Sequence, residues 1–165
     1  MVYNFPVVTA GQNLDSDIIA ELAKHPNIVG TKLSCGDIGK IHRLTSAYPS
    51  NQFAVYAGRS DVFVQGLISN SAGLIGALVN LLPKLHRHVY ELYQKGDVTK
   101  AMELQSKLGQ ADWAAQRSGG IGALKAIILK QYGYGNNRVR GPLAPVEIKT
   151  ESAVLEELFQ LENGL

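Results

Sequence analysis

Four short apolar segments, each followed within a few residues by an amphipathic run, restrict this chain to a narrow set of folds. The segments are Met1 to Phe5, Ile28 to Ser34, Phe53 to Ala57 and Gly73 to Val79. Helix signals fill the gaps. Asp15-Ser16-Asp17 supplies a cap and an acidic first turn ahead of the stripe Ile18, Ile19, Leu22 and Ala23. Gly36-Asp37 opens a second helix with Ile38, Ile41, Leu44 and Thr45 at helical spacing, ended by Tyr48-Pro49. Ser60 or Asp61 caps a third helix reaching about Asn70, and Asn80 begins a fourth with Leu82, Leu85, Val89, Leu92 and Tyr93 on one side. Strand alternating with helix through short connections predicts an α/β fold with parallel strands and right-handed crossovers, either a doubly wound sheet or a (β/α)₈ barrel. Beyond Gly96-Asp97 only helices are predicted, over Val98 to Ser118, Ile121 to Tyr132 and Ser152 to Leu161, with Gly133 to Pro145 as a long loop. The natural division is therefore residues 1–96, the β/α part, and residues 97–165, a helical extension.

The first segment is short for a strand, because Pro6 breaks it after only a few residues. The chain thus reads as starting partway into a larger architecture. With 165 residues, 45% hydrophobic and 18% charged, it has the makings of an ordinary globular core rather than a disordered segment. A net charge of +2, spread along the chain, leaves no basic footprint for nucleic acid. No stretch reaches the roughly 20 apolar residues of a membrane-spanning helix, so no membrane partner is expected. The single cysteine, Cys35, excludes an internal disulfide and fits a reducing compartment, for which the cytoplasm is the expectation.

Lys32 places a primary amine inside the second apolar segment. Parallel strands are usually buried on both faces, and burial disfavours an ammonium, leaving a neutral amine able to attack a ketone carbon and form a Schiff base. The alternative is a strand-end lysine that merely extends its ammonium to water. In a parallel β/α fold, functional groups gather where strands end, here Tyr3-Asn4, Lys32 to Cys35, Gly58-Arg59-Ser60 and Ile75 to Asn80. Tyr3 and Lys32 come from strands one crossover apart and can meet at one mouth. A tyrosine hydroxyl beside an imine-forming lysine suits chemistry in which a proton moves between nitrogen, oxygen and carbon.

Tyr3-Asn4-Phe5-Pro6, Thr9, Gly11, then His25-Pro26-Asn27-Ile28-Val29-Gly30-Thr31-Lys32 with Gly36-Asp37, resembles the dihydrodipicolinate synthase and N-acetylneuraminate lyase family of class I aldolases. The likeness continues through Phe53 to Gly58, Gly73-Leu74-Ile75-Gly76, Asn80 and Gly141-Pro142-Leu143. It implies the C-terminal half of a (β/α)₈ barrel, strands 5 to 8, followed by extra helices. It also implies a Schiff base between Lys32 and pyruvate or another 2-oxo acid, with Tyr3 transferring protons. By the same resemblance Gly58 and Ile75 line the 2-oxo acid pocket, Thr9 lies near its mouth, the full-length protein is a homo-oligomer, and neither a metal nor an organic cofactor is needed.

Two positions depart from the family's synthases. Val8 stands where they carry an arginine that grips the second substrate, which points toward aldolases of 4-hydroxy-2-oxoglutarate or 2-keto-3-deoxy sugar acids, with dihydrodipicolinate synthase as the alternative. Arg59-Ser60 stands where acidic residues are common. Arg59 could hold a carboxylate at the mouth or be a solvated loop residue. The family's Gly-Thr-Thr loop, which binds the 2-oxo acid carboxylate, is missing, as are its first four strands, so a non-catalytic fragment or interaction module is the rival from another class. Other features carry less. His86-Arg87-His88 reads as solvated helix surface, Gly119-Gly120-Ile121-Gly122 as a hinge, Cys35 as a small packing residue, and Trp113 as helix packing or a subunit contact.

Overall fold

The computed structural model describes residues 1–148 and 152–165. They form two compact units, Met1–Gly76 and Ala77–Leu165. The division drawn at Gly96 follows the strand-helix repeat; this one follows compactness.

The first unit is a parallel sheet of β1 (Val2–Asn4), β2 (Gly30–Leu33), β3 (Ala54–Ala57) and β4 (Gly73–Leu74), in sequential order. Helices α1 (Ser16–Ala23), α2 (Ile38–Ala47) and α3 (Phe63–Ile68) connect them. Asp15 accepts from the Ile18 N–H and Asp37 from the Lys40 N–H, so both acidic caps form as the sequence predicts. Leu33, Val55 and Ala57 point to one face and are buried with Ile19 of α1 and Ile41 and Leu44 of α2. Burying each such aliphatic side chain contributes about 1.5–3 kcal/mol. Of the stripe predicted for α1 only Ile19 is fully buried, and Ile18, about 100° round the helix, is 46% exposed.

The other face behaves differently. Tyr3, Lys32, Tyr56 and Gly73 are paired in register across the four strands, and none is fully buried. Two residues further along, Phe5, Ser34, Gly58 and Ile75 share that face by the alternation of strand side chains. Burial on both faces, expected for Lys32 from its apolar run, is therefore corrected: the helices of this unit all pack on the opposite face, and Lys32 is half-buried.

Two element boundaries differ from expectation for local reasons. The fourth strand stops at Leu74 rather than Val79, because β3 ends at Ala57 and pairing ceases once the Ile75 N–H has reached the Ala57 carbonyl. The residue preceding α3 is Val62, since Ser60–Val62 forms a 3₁₀ turn, and the Asp61 carboxylate is taken by Arg59.

The second unit packs α4 (Pro83–Gln94), α5 (Val98–Arg117), α6 (Ile121–Tyr132) and α7 (Ala153–Gly164). Helix α4 starts at Pro83 rather than Asn80, since proline at the first helical position gives up an N–H that would have no partner anyway. Its next two donors are met from far along the chain: Glu162 on α7 accepts from Lys84 N at 2.9 Å and Leu85 N at 2.7 Å. A buried carboxylate at a helix N-terminus satisfies orphan donors and the helix dipole together. Gly119 and Gly120, both at positive φ, make the turn between α5 and α6. A Cβ on Gly119 would lie 2.7 Å from Val146 Cγ2, so the segment is a tight turn rather than a free hinge.

Two readings are corrected, Trp113 as helix packing and His86 as solvated surface. Trp113 is 55% exposed, because the buried stripe of α5 runs through Ala101, Leu108, Ala111 and Ala115 and leaves position 113 on the outer side. His86 is not solvated: it is buried on α4, with Nδ1 2.6 Å from the Leu82 carbonyl. Burial pushes its pKa below the ordinary 6.5, opposed by the Leu82 hydrogen bond and by the Glu162 charge. A base depressed in the folded state favours the neutral ring, so its stabilising contribution is full above pH 6.5 and is lost as pH falls below it. Chemical denaturation at pH 7.5 and 5.5 should show this loss, and His86→Asn, which keeps a donor near Leu82, should shrink the difference between the two midpoints.

Candidate active site

The pairing of β1 with β2 sets Tyr3 opposite Lys32, with Val2 opposite Thr31 and Asn4 opposite Leu33. The Lys32 Nζ lies 4.2 Å from the centre of the Tyr3 ring, above its face. The ring's negative π surface attracts an ammonium in that position. Phe5 packs beside Tyr3 with ring centres 5.6 Å apart. Lys32 and Tyr3 are thus brought together as the sequence predicts.

Ser34, which the sequence reading passed over, completes the arrangement. Its hydroxyl is 3.2 Å from the Tyr3 hydroxyl and 3.2 Å from the Gly58 carbonyl, and the residue is 4% exposed. A serine hydroxyl has one proton. When it donates to Gly58, which can only accept, a lone pair is free to receive the Tyr3 proton; when it turns to Tyr3, it donates to a deprotonated phenol. Ser34 can therefore meet the Tyr3 oxygen whether or not it carries its proton, as a proton-transferring group requires. Period-two alternation puts Ser34 on the face of Lys32, so the signal was present in the spacing.

Gly58 has a task within the sheet. A Cβ there would lie 2.3 Å from Ser34 Oγ and 2.6 Å from Ser34 N, so its missing side chain makes room for Ser34 and the backbone of β2. Ile75 is 38% exposed on the same face. Thr9 is on the exposed loop after β1, where its hydroxyl lies 3.2 Å from the Phe5 carbonyl and 2.9 Å from that of Gln12. Arg59 is neither solvated nor free: its guanidinium is paired with Asp61, and the two side chains are 25% and 26% exposed. Tyr56, half-buried and in register with Lys32, was also missed. Its ring edge lies 3.8 Å from where a Cβ on Gly73 would stand, so it leans toward β4. Among the described residues no cluster of His, Cys, Asp and Glu could hold a metal ion. Gly58→Ala should destabilise the protein by about 1–3 kcal/mol and displace Ser34, which denaturation midpoints and a crystal structure of the variant would show.

Comparison with known proteins agrees with this geometry. Residues 1–161 match the model of the dihydrodipicolinate synthetase family. A protein of Emericella nidulans named "Probable 4-hydroxy-2-oxoglutarate aldolase, mitochondrial" is 40% identical over 96% of this chain and 50% of its own length. The L-threo-3-deoxy-hexylosonate aldolase of Aspergillus niger is 33% identical over 100% of this chain and 56% of its own. The crystal structure of a dihydrodipicolinate synthase family protein from Coccidioides immitis superposes with a TM-score of 0.75 at 36% identity, covering 99% of this chain and 55% of that one. The chain thus spans about half the length of the curated relatives it matches. Its four parallel strands and following helices are a partial (β/α)₈ barrel with a helical extension. By sequence and by fold alike, the chain belongs to the dihydrodipicolinate synthetase family.

Proposed function

We propose that this chain carries the imine-forming centre of an aldolase that makes or breaks a carbon–carbon bond in a 2-oxo acid, with pyruvate as one product or substrate. The observation that carries the reading is the Lys32 amine on the face of Tyr3, with the Tyr3 hydroxyl met by Ser34. In the cleavage direction, neutral Lys32 attacks the C2 ketone, and the former ketone oxygen leaves as water with a proton given by Tyr3, leaving an iminium and a Tyr3 phenolate. The iminium draws the C3–C4 bonding electrons toward nitrogen as the C4 hydroxyl loses its proton to Tyr3 and an aldehyde departs. The enamine that remains takes a proton at C3, and water releases pyruvate and the free amine. Ser34 keeps the Tyr3 oxygen pointed, accepting from the phenol and donating to the phenolate.

The substrate class follows from the relatives and from one residue. Those named above act on a 4-hydroxy-2-oxoglutarate or a 3-deoxy-hexylosonate. Val8, 66% exposed on the loop after β1, offers no charge to a second carboxylate, which favours these aldol reactions over a dihydrodipicolinate synthase reaction. Arg59, already paired with Asp61, offers the substrate carboxylate no free guanidinium, and the sequence has no Gly-Thr-Thr segment. Either the cytoplasm or the mitochondrion suits the single free cysteine, the second because a relative is named as mitochondrial.

Pyruvate with cyanoborohydride should alkylate Lys32, read as a mass increase on its peptide that is absent in Lys32→Ala. No adduct at saturating pyruvate removes the catalytic reading for this chain. Tyr3→Phe should still form the adduct but slow turnover by about 10²-fold or more. Unchanged turnover takes Tyr3 out of its role.

A further inference from the structure

Lys40 is 2% exposed, and its ammonium has only uncharged acceptors: Asn13 Oδ1 at 2.7 Å and the Leu14 carbonyl at 2.6 Å. Among the described residues it forms no ion pair; Asp37, one turn back, accepts from the Lys40 backbone N–H and faces Arg43 instead. Taking an ammonium out of water without a counter-charge is costly, and a methionine would fill the same space without that cost. Packing alone does not account for it.

What the ammonium does is close a ring of hydrogen bonds. Asn13 Oδ1 also accepts from Asn4 Nδ2 at 2.9 Å, and Asn4 Oδ1 accepts from the Leu14 N–H at 3.0 Å. Lys40, Asn13, Asn4 and Leu14 are thereby locked together, with the charge gripping the end of the loop next to α1 and, through Asn13, the end of β1. Asn4 is the last residue of β1, adjacent to Tyr3 and buried on the opposite face of the sheet. Its carbonyl accepts from the Ser34 N–H at 2.9 Å. One buried side chain thus fixes the strand end that carries Tyr3 and the backbone of the serine that meets the Tyr3 hydroxyl. The pairing of β1 with β2 runs over three residues only, so it gains from such a fixture.

We propose that Lys40 is a positioning residue for Tyr3, acting through Asn4 and Asn13 from the far side of the sheet. Its role in turnover rests on the imine chemistry assigned to Lys32 and Tyr3. The test uses the 165-residue chain and three variants: Lys40→Met, Asn13→Ala, which breaks the ring from an exposed loop and spares the core, and Tyr3→Phe. Two rates are read with pyruvate, trapping of the iminium by cyanoborohydride and exchange of the pyruvate C3 protons for deuterium, the second needing the Tyr3 proton transfer. Lys40→Met and Asn13→Ala should each slow C3 exchange by about ten-fold while the pyruvate concentration giving half-maximal trapping stays within about two-fold. Lys40→Met combined with Tyr3→Phe should be no slower than Tyr3→Phe alone, because both remove one function. Additive losses, or an equal fall in trapping and exchange, overturn the proposal. Should the unaltered chain form no adduct, the imine reading fails separately, and amide exchange decides for Lys40. Both ring variants must then accelerate exchange at Leu14 and Ser34 by about ten-fold, and unchanged protection there overturns the positioning role.

Discussion

The three-residue pairing of β1 with β2 is the constraint on which the candidate site depends. In a strand, neighbouring side chains point to opposite faces, so a slip of one residue would carry Tyr3 to the helix side and Asn4 to the Lys32 side. The observed register does two things at once. It puts an aromatic ring under the amine, and it delivers Asn4 to the buried side, where Asn13, Leu14 and Lys40 complete its hydrogen bonds. A ladder of three residues is a weak device for holding a reactive pair. The polar ring behind it supplies the directionality that so short a ladder lacks, since hydrogen bonds lose strength quickly with misalignment.

Two buried charges are handled in the same way in the two units. Lys40 gives its protons to an amide oxygen and a backbone carbonyl, and Glu162 takes two backbone N–H groups at the start of α4. In neither case are these partners side chains of opposite charge. Backbone dipoles are fixed by the elements that carry them, so a charge bound to them pins a segment in place, whereas an ion pair between two flexible side chains can move as a unit. Lys40 pins a loop to a helix, and Glu162 pins one helix end to another.

Much of the first unit was legible because its signals are local. Asp15 and Asp37 capped the helices that followed them, and the alternation of apolar segments with amphipathic runs gave the parallel order. The same alternation brought Tyr3 and Lys32 together and could have given Ser34. What failed to show was decided by partners distant in sequence. That Gly58 makes room for Ser34, 24 positions away, has no signature in its own neighbourhood. His86 was read as surface since its neighbours Arg87 and His88 are polar, yet its own position on α4 faces the helices behind it. Lys40, on a polar-looking stretch of α2, gave no sign that its ammonium reaches the loop of Asn13 and Leu14.

The division of labour within the site follows from which atoms the middle strands can fix. Lys32, Ser34 and the Gly58 carbonyl sit on adjacent, mutually bonded strands, with the Gly58 N–H held by the Leu33 carbonyl at 2.9 Å. Groups so placed suit bond making and proton transfer, which depend on distances held to fractions of an ångström. Recognition of a carboxylate asks for something else, a free cation or a nest of N–H groups. Arg59 is committed to Asp61, and the inner face offers phenols, a serine and Ile75 instead. The chain thus concentrates reactivity without concentrating anion binding, so the hold on the carboxylate, rather than the chemistry at C2, is the weaker part of the site these residues form.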